Sequence, residues 1–399
     1  MTITTVSIIG GGIAGPVTAM AMQRAGLDPV VYEAHDHGAD GVGAFLTLAT
    51  NGLEGLHLLD LDRQVAGLGM DTRRMRIVSG TGKQLAEFDN GGLTSFGTPS
   101  QTLRRADLYR TLRDEAVRRG VRIEYGKQLR DARLDGDRVH ADFTDGTTAE
   151  GDLLVGADGL RSRTRSVLDP HAPDPRYLGL LNTGGFATGL ALDGEPGAAH
   201  FLFGKRCFFG YLIHPRGDVW WFANPGRRTE PSTAELASIT PEQQRAELTE
   251  LFSRDAGPAL EIIDATEHII RSWSTYDLPT VPTWRNERMV IIGDAAHATS
   301  PSSGQGGVHG DRGRRRARAM PARTPGHRRR PRSVRDRPPH PGRANRRPGQ
   351  AKRQRQGTRT GRARDPRPDP ADRHADGRPP RQSALDVRLP DRVVTGRGR

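Results

Sequence analysis

Apolar residues in the first part of the chain follow the pattern of an α/β domain. The run from Ile3 to Ile9 shows no apolar/polar alternation and is dominated by β-branched residues, which predicts a buried strand. Residues 13–25 then have helical composition, and Gly26 is placed to end this helix because glycine readily takes a positive φ. A second strand is predicted at residues 29–32. The order strand, helix, strand favours an α/β fold.

The pattern changes between residues 180 and 223, where short strand-like segments follow one another at the spacing of an antiparallel sheet. Strands are predicted there at residues 181–190, 200–203, 207–213 and 219–222. Elsewhere, helices are predicted at residues 51–61, from residue 104 onward and at 241–255. Further strands are predicted at residues 122–125, 139–143 and 268–272, after the Asp145-Gly146 turn, and in the apolar runs that begin at Asp152 and Arg288.

Length and composition are compatible with a two-domain protein in a reducing compartment. The chain has 399 residues and one cysteine, Cys207, which excludes an intrachain disulfide. No apolar run approaches the roughly 20 residues of a membrane span, and the first five residues lack the basic region of a secretion signal. We therefore expect a cytoplasmic protein that does not contact a membrane.

Charge is distributed very unevenly along the chain. Residues 307–399 contain 28 arginines, one lysine, eight aspartates and no glutamate, whereas the first 306 residues contain 31 basic and 39 acidic side chains. The basic segment also lacks Phe, Trp, Tyr and Ile. It cannot bury enough apolar surface to offset the entropy lost on ordering. Residues 307–399 are therefore predicted to be disordered.

The turn after the first strand has the sequence Gly10-x-Gly12-x-x-Gly15, which is typical of dinucleotide binding. The first glycine permits a tight turn, the second lets the backbone approach a pyrophosphate, and the third lets the helix pack on the strand. The start of that helix supplies free N–H groups and a partial positive charge. Glu33, at the end of the second strand, is placed to accept hydrogen bonds from ribose hydroxyls. A purely structural glycine turn is the alternative.

Two further glycine-containing turns follow apolar runs. Residues 156–159 read Gly-Ala-Asp-Gly and precede a basic helix start, although on their own they also fit an ordinary turn. Residues 293–297 read Gly-Asp-Ala-Ala-His and are followed by Pro301 and by Gly-Gln-Gly at 304–306. Taken alone, the aspartate of this last motif also fits a helix N-cap, and its histidine also fits a packing role.

In this order the three motifs resemble those of the single-component FAD-dependent aromatic hydroxylases, the group that includes para-hydroxybenzoate and salicylate hydroxylases. The set is far more specific than any one motif, and it extends to about Gly306. The resemblance implies a Rossmann-like FAD-binding domain interleaved with a mostly antiparallel β-sheet substrate domain. The implied FAD-binding segments are residues 1–72, 101–178 and 277–306, and the implied substrate-domain segments are residues 73–100 and 179–276.

The resemblance also implies roles for individual residues. The first glycine turn would hold the FAD pyrophosphate, and the acid after the second strand would hold the adenosine ribose. Arg105, in an Arg-x-Asp-Leu pattern, would lie along the phosphate and ribityl region, unless it is only a solvated charge at a helix start. Asp294 would bond the ribityl chain. The complete implied set of FAD-binding residues is Gly10, Gly12, Ile13, Ala14, Gly15, Glu33, Arg105, Asp158, Gly159, Asp294, Pro301, Gly304, Gln305 and Gly306.

The reaction implied by the resemblance is the hydroxylation of an aromatic or polycyclic small molecule. NADH or NADPH reduces FAD, O₂ adds to give a flavin C4a-hydroperoxide, and its terminal oxygen passes to an electron-rich ring. Because the flavin carries this chemistry, no catalytic side chain is assigned and no metal is expected. A flavoprotein of the same fold that reduces or dehydrogenates its substrate without O₂ is the alternative.

We expect the substrate to lie between the flavin and the predicted sheet of residues 180–222. Aromatic side chains of this sheet are candidate walls, although such side chains also form ordinary cores. The candidates are Phe186, Phe203, Phe209, Tyr211, Trp220 and Phe222.

The resemblance ends after Gly306. Related enzymes continue with a helix that reads roughly Ala-Ser-Met-Ala-Ile-Glu-Asp-Ala-Val-Val-Leu, whereas this chain continues Gly-Val-His-Gly-Asp-Arg-Gly-Arg. Codons that the genetic code permits can be chosen for residues 306–318 so that deleting one guanine near the start of this stretch gives the sequence of that helix on translation. Residues 307–399 are therefore interpreted as out-of-frame translation, and we expect the present chain to hold FAD poorly. The alternative is an inactive remnant whose natural basic tail binds nucleic acid through phosphates, without specificity because it lacks aromatic residues.

Overall fold

The computed structural model describes residues 3–36 and 44–299, so the predictions for Pro301, residues 304–306 and residues 307–399 fall outside the described residues. The elements of the first half are β1 Thr5–Ile9, α1 Ala14–Arg24, β2 Asp28–Tyr32, β3 Phe45–Leu48, α2 Thr50–His57, α3 Asp62–Ala66, β4 Met70–Asp71, β5 Arg74–Ser79, β6 Gln84–Asp89, β7 Gln101–Arg104, α4 Arg105–Arg118, β8 Arg122–Glu124, β9 Leu129–Asp135, β10 Arg138–Phe143, β11 Thr148–Gly151, β12 Leu153–Gly156 and α5 Arg163–Leu168. Those of the second half are β13 Arg176–Ala187, β14 Ala198–Phe203, β15 Phe208–Ile213, β16 Val219–Asn224, α6 Thr233–Ser238, α7 Pro241–Phe252, α8 Ala259–Asp264, β17 Ile270–Asp277, β18 Met289–Ile291 and α9 Asp294–His297.

A parallel sheet of five strands, in the order β18-β12-β1-β2-β8, forms the first part of the fold. Four of the five residues of the central strand β1 are buried, as expected for a strand covered on both faces. Val17 of α1 and Leu108 of α4 belong to the same buried core as Val6 and Ile8 of β1. The predicted α/β fold is confirmed.

A second sheet has seven strands in the order β17-β13-β16-β15-β14-β5-β6. All of its neighbouring pairs are antiparallel except β14 and β5. The strands come from residues 74–89, 176–224 and 270–277, so three separate parts of the chain build one sheet. The mostly antiparallel sheet predicted from the spacing of short strands is confirmed.

The two faces of this second sheet have different neighbours because side chains alternate along each strand. One face packs on α7 and α8 through a core that contains Phe209, Trp221 and Phe252. The opposite face carries Phe186 and Trp220 and packs on the small sheet β3-β7-β4. We call this second surface the aromatic face; its aromatic side chains are Phe186, Phe201, Phe203, Phe208, Trp220 and Phe222.

Some predicted boundaries differ from the observed ones for identifiable reasons. The single helix predicted at 51–61 is two helices, because Asp60 between them adopts a φ of 59°, which an α-helix cannot contain. The strand β9 was not predicted, since only Leu129 and Ala132 of its seven residues are buried and the apolar pattern is therefore weak. Within the described residues, no helix has both the length and the apolarity needed to cross a bilayer.

Candidate functional site

The turn between β1 and α1 is held by close backbone contacts at two of its glycines. Gly10 has a φ of 104°, and a Cβ there would lie 2.4 Å from the carbonyl oxygen of Ala157. A Cβ on Gly15 would lie 1.9 Å from the carbonyl oxygen of Gly10. Both distances are far below van der Waals contact, so the first and third glycines of the motif are required by the turn itself.

Gly12, the second glycine of the motif, faces open space. Apart from its chain neighbours, no atom of the described residues lies within 4 Å of the position that its Cβ would take. The adjacent start of α1 has Ile13 at its N-cap with no side-chain hydrogen bond, and Ala14 is the first helical residue. The first N–H groups of this helix therefore lack a side-chain acceptor, which is the usual arrangement of an anion-binding helix start.

Glu33 lies directly against this turn. Its Oε2 accepts a hydrogen bond of 2.6 Å from the backbone N–H of Gly11, and its Oε1 accepts one of 3.0 Å from the N–H of His35. A Cβ on Gly11 would lie 3.0 Å from the same Oε2. Gly11 was not among the predicted residues, although the run of three consecutive glycines was the available signal.

The second motif holds the start of α5 on the parallel sheet. One carboxylate oxygen of Asp158 accepts a hydrogen bond of 2.6 Å from the Ser162 hydroxyl. The other accepts hydrogen bonds of 2.9 and 3.0 Å from the backbone N–H and the hydroxyl of Thr164. Gly159 follows with a φ of 77°. The turn considered from sequence is present, and the carboxylate of Asp158 is engaged within it.

Arg165, which the sequence reasoning did not single out, joins the second motif to the third. It is 3% exposed. Its guanidinium donates hydrogen bonds of 2.9 Å to the carbonyl oxygen of Leu160 and 3.1 Å to that of Ala295. Burial lowers the pKa of the guanidinium from its ordinary value. The side chain thus satisfies carbonyl groups of both turns from one buried position.

The third motif begins with Gly293, which is the N-cap residue of α9 and has a φ of 59°. Asp294 is therefore the first helical residue of α9 rather than its N-cap, and it is exposed. The ring of His297 stacks on Trp284 with the ring centres 5.4 Å apart. The packing role considered for this histidine is thus present in the structure.

The three turns meet at one edge of the parallel sheet. They follow β1, β12 and β18, which are adjacent strands. A Cβ on Gly10 would contact Ala157 of the second turn, and a Cβ on Gly293 would lie 3.2 Å from the Cβ of Ala14. The motifs at residues 10–15, 156–159 and 293–297 are therefore neighbours at the carboxyl ends of the strands, where α/β sheets bind ligands.

Arg105 lies at the first position of α4 and is exposed. Its backbone N–H donates a hydrogen bond of 3.2 Å to the carbonyl oxygen of Ala44, which fixes the helix start against β3. Among the described residues, its guanidinium has no hydrogen-bond or ion-pair partner.

The candidate substrate walls divide between the two faces of the seven-stranded sheet. Phe186, Trp220 and Phe222 lie on the aromatic face, with Phe203 at its edge. Phe209 and Tyr211 lie on the opposite face, where Phe209 is 0% exposed and packs on Trp221 and Phe252. The prediction was wrong for these two residues, because strand alternation turns them toward the helices.

The sequence signature of a family described as "FAD binding domain" matches residues 3–309. The chain belongs to this family of FAD-dependent monooxygenases. The predicted family, cofactor class and enzyme class are therefore confirmed.

Relatives of this monooxygenase include enzymes with named substrates. It is 30% identical over 312 residues to Aurachin C monooxygenase/isomerase of Stigmatella aurantiaca, covering 76% of each chain. It is 30% identical over 308 residues to the FAD-dependent urate hydroxylase of Klebsiella pneumoniae, covering 75% of this chain and 77% of the relative. The crystal structure of Klebsiella pneumoniae HpxO complexed with FAD and uric acid has a similar fold, with 25% identity, a TM-score of 0.63 and 77% of each chain covered.

Proposed function

We propose that this monooxygenase hydroxylates an aromatic small molecule with O₂ and uses NADH or NADPH as the reductant. In the balanced reaction, one oxygen atom enters the substrate and the other leaves as water, while the nicotinamide gives up a hydride and a proton is consumed. When bound, FAD would supply the redox chemistry that links the nicotinamide to O₂. The observation that carries this proposal is the meeting of three separate turns at one edge of the parallel sheet.

The described residues fit the diphosphate part of FAD. The open space over Gly12 leaves room for a pyrophosphate, while Gly10 and Gly15 hold the turn in place. The uncapped N–H groups after Ile13 and Ala14 would donate hydrogen bonds to the phosphate oxygens, and the α1 dipole favours their negative charge.

The remaining implied residues take different roles in this proposal. Glu33, already positioned by Gly11, would accept hydrogen bonds from the adenosine ribose. Arg105 would neutralise phosphate charge, and Asp294 would bond the ribityl chain. The Asp158 carboxylate is occupied by α5, so we assign it to holding Gly159 in place rather than to direct cofactor contact. Pro301 and residues 304–306, which lie outside the described residues, would line the flavin ring, as the resemblance implies.

The substrate class in this proposal rests on the aromatic face. Its half-buried rings, among them Phe186 and Phe222, would pack against an aromatic molecule and exclude water from one side of it. The urate hydroxylase among the relatives is named for a small aromatic heterocycle, which supports the same class.

The single cysteine supports a cytoplasmic location.

The family match ends at residue 309, three residues beyond Gly306. This end point supports the interpretation that the following residues are translated out of frame. Sequencing of the gene tests it directly: an uninterrupted reading frame that encodes the arginine-rich segment in intact, active relatives would contradict it.

The test of the function uses the present chain and a frame-restored chain, each supplied with FAD. Oxidation of NADH and NADPH is measured with and without a panel of hydroxylated aromatic compounds, together with O₂ consumption. We expect substrate-stimulated oxidation and the incorporation of one ¹⁸O atom from ¹⁸O₂ into the product. Nicotinamide oxidation without incorporation of oxygen into any substrate would favour the reductase alternative instead.

A further inference from the structure

The ring of Phe222 on the aromatic face lies over a glycine of the neighbouring strand. Phe222 of β16 is directly opposite Gly210 of β15 in the antiparallel register. A Cβ on Gly210 would lie 2.3 Å from Cε1 and 2.6 Å from Cζ of the Phe222 ring. These atoms are at the far end of the side chain, so the ring extends across β15. Only glycine at position 210 leaves room for the ring in this place.

A second glycine, Gly184 of β13, lies opposite Phe222 on its other side, but for a different reason. A Cβ there would lie 2.4 Å from the backbone carbonyl oxygen of Trp221. Backbone atoms of a paired strand cannot move aside without disturbing the sheet, whereas a phenyl ring can turn about two side-chain bonds. Gly184 is therefore required by the strand pairing, whereas Gly210 is required only by the place of the Phe222 ring.

The distance between two rings of the aromatic face agrees with this arrangement. Phe201 of β14 is opposite Gly210 on the side away from Phe222. Because neighbouring strands are about 4.8 Å apart, the backbones of Phe201 and Phe222 are separated by roughly 10 Å. Their ring centres are nevertheless only 6.3 Å apart, with the planes at 78°. The two rings thus approach each other over Gly210.

The ring of Phe222 is also contacted from the small sheet β3-β7-β4. The ring centre of Phe45 on β3 lies 5.9 Å from that of Phe222, with the planes at 73°. Both side chains are half-buried. A methyl group at position 210 would lift the Phe222 ring off β15, toward the side on which Phe45 lies. The space between the aromatic face and the small sheet would then become narrower at this point.

We propose that Gly210 is a positioning residue that sets the size of the aromatic substrate. Without a Cβ at position 210, the ring of Phe222 lies across β15 and leaves room on the aromatic face for a molecule with two fused rings. With a Cβ there, the raised ring would occupy the place of the second ring of the substrate. This assignment rests on the proposed function, because it places the substrate of that reaction against the aromatic face.

Binding of two neutral probes to the full chain tests this assignment without turnover. Dissociation constants are measured by calorimetry for benzamide, which has one ring, and for 2-naphthamide, which has two fused rings. Because the second ring adds apolar surface, we expect the unmodified chain to bind 2-naphthamide at least about tenfold more tightly than benzamide. Gly210→Ala should lower the affinity for 2-naphthamide about tenfold and leave the affinity for benzamide within twofold.

A double-mutant cycle separates positioning of the ring from structural support. Phe222→Leu removes the two ring atoms that the added methyl group would meet first. In this background, Gly210→Ala should change the affinity for either probe by less than about twofold. A purely structural role of Gly210 would lower both affinities in both backgrounds.

Gly226→Ala is the matched control. It adds the same methyl group to an exposed glycine, and no atom of the described residues other than its chain neighbours lies within 4 Å of that Cβ position. The preference for 2-naphthamide should therefore be unchanged in this variant. The midpoint of urea unfolding, measured for every variant, should be nearly the same in Gly210→Ala as in the unmodified chain, because the ring turns and the backbone does not move.

Several results would overturn the assignment. These are no binding of either probe at millimolar concentration, equal affinity of the unmodified chain for both probes, an unchanged preference in Gly210→Ala, a parallel loss of affinity for both probes in that variant, and the same loss of 2-naphthamide binding in the Phe222→Leu background. Failure of Gly210→Ala to fold would also overturn it, because the ring would then be fixed by its neighbours.

Failure of the proposed function gives a different pattern. The frame-restored chain would then take up no flavin and hydroxylate nothing, whatever size of probe the variants prefer. Hydroxylation by the frame-restored chain with the same preference for one-ring and two-ring substrates before and after Gly210→Ala would retain the function and remove the role of Gly210.

Discussion

The glycine-containing turns and the aromatic face are built in opposite ways. At the turns, backbone atoms decide which residue fits, since a Cβ on Gly10 or Gly15 would lie within 2.4 Å of a carbonyl oxygen. On the aromatic face, the backbone is an ordinary antiparallel sheet, and the side chains alone give the surface its character. A site made by backbone leaves glycines at fixed spacing in the sequence, whereas a surface made by side chains leaves aromatic residues that any core also contains.

This difference separates two kinds of substitution. A substitution at a glycine whose Cβ would meet backbone atoms should impair both folding and cofactor binding. A substitution at a glycine that faces open space should impair cofactor binding and leave the stability of the fold nearly unchanged. Changes on the seven-stranded sheet should affect ligand binding or stability according to the face that they touch.

Restoring the reading frame after Gly306 should have the largest effect, because it supplies the helix expected to support the flavin side of the site. At about 25 cal/mol per Å² of apolar area, such a helix contributes several kcal/mol, which is comparable to the stability of a whole domain. The frame-restored protein should purify with stoichiometric flavin, measured by absorbance near 450 nm, and the present chain should not. A chain that ends at Gly306 is the control that separates loss of the helix from harm done by the basic segment. Stoichiometric flavin in the present chain would contradict this prediction.

Phe209→Ala should lower the free energy of unfolding by about 3–5 kcal/mol, because it empties a fully buried position against Trp221 and Phe252. Phe186→Ala, at a half-buried position on the aromatic face, should cost less stability and should weaken binding of 2-naphthamide instead. Urea unfolding and calorimetry measure the two effects. If Phe209→Ala instead weakened probe binding and Phe186→Ala lowered stability, Phe209 would again be a candidate residue of the substrate wall.

Gly15→Ala should lower the free energy of unfolding by about 3 kcal/mol, because the added methyl group would lie 1.9 Å from a backbone oxygen that cannot move freely. Gly12→Ala is the matched control: it introduces the same methyl group into open space, so stability should change by less than about 1 kcal/mol. In the frame-restored protein, Gly12→Ala should nevertheless weaken FAD binding. Equal destabilisation by both substitutions would show that a methyl group at Gly12 also meets neighbouring atoms, so that the space there is not open.

The smallest effect is expected from a carboxylate on α4, the helix that begins at Arg105. Glu115 is 7% exposed and accepts hydrogen bonds from Arg118 and Arg119. The hydrogen bond from Arg118 is the main reason that its pKa falls to about 2. A lowered pKa stabilises the fold above the ordinary value near 4.5, and this stabilisation is lost as pH falls toward 2.

Unfolding by urea at pH 6 and pH 3 measures this contribution. Because the side chain of Arg118 is largely exposed, solvent screening should reduce the effect to roughly 1–2 kcal/mol. Glu115→Gln should remove that part of the pH dependence, whereas Glu250→Gln, in an exposed pair with Arg206, should not. An unchanged pH dependence in Glu115→Gln would show that this carboxylate titrates normally.

Prediction from sequence succeeded where local backbone geometry carries the information. The first turn, its flanking strands and Glu33 follow from a contiguous run of residues, and the structure has them in the expected places. It failed at Asp60, where one residue with positive φ divides a helical pattern, and for β9, whose few buried residues leave almost no apolar signal.

Other features depended on contacts between distant residues. The use of the Asp158 carboxylate by Thr164, and the position of Arg165 between Leu160 and Ala295, follow from how α5 and α9 pack together. The spacing of these residues in the sequence does not indicate which carbonyl or carboxylate oxygen each donor contacts.

The sequence by itself determined the α/β architecture, the family and the FAD-binding class, because glycine spacing and apolar periodicity are local constraints on the backbone. Only the tertiary structure decided which aromatic residues share a face and that the ring of Phe222 lies over Gly210. The physical reason is that strand alternation fixes two faces, but the packing of α7, α8 and the β3-β7-β4 sheet decides what each face contacts.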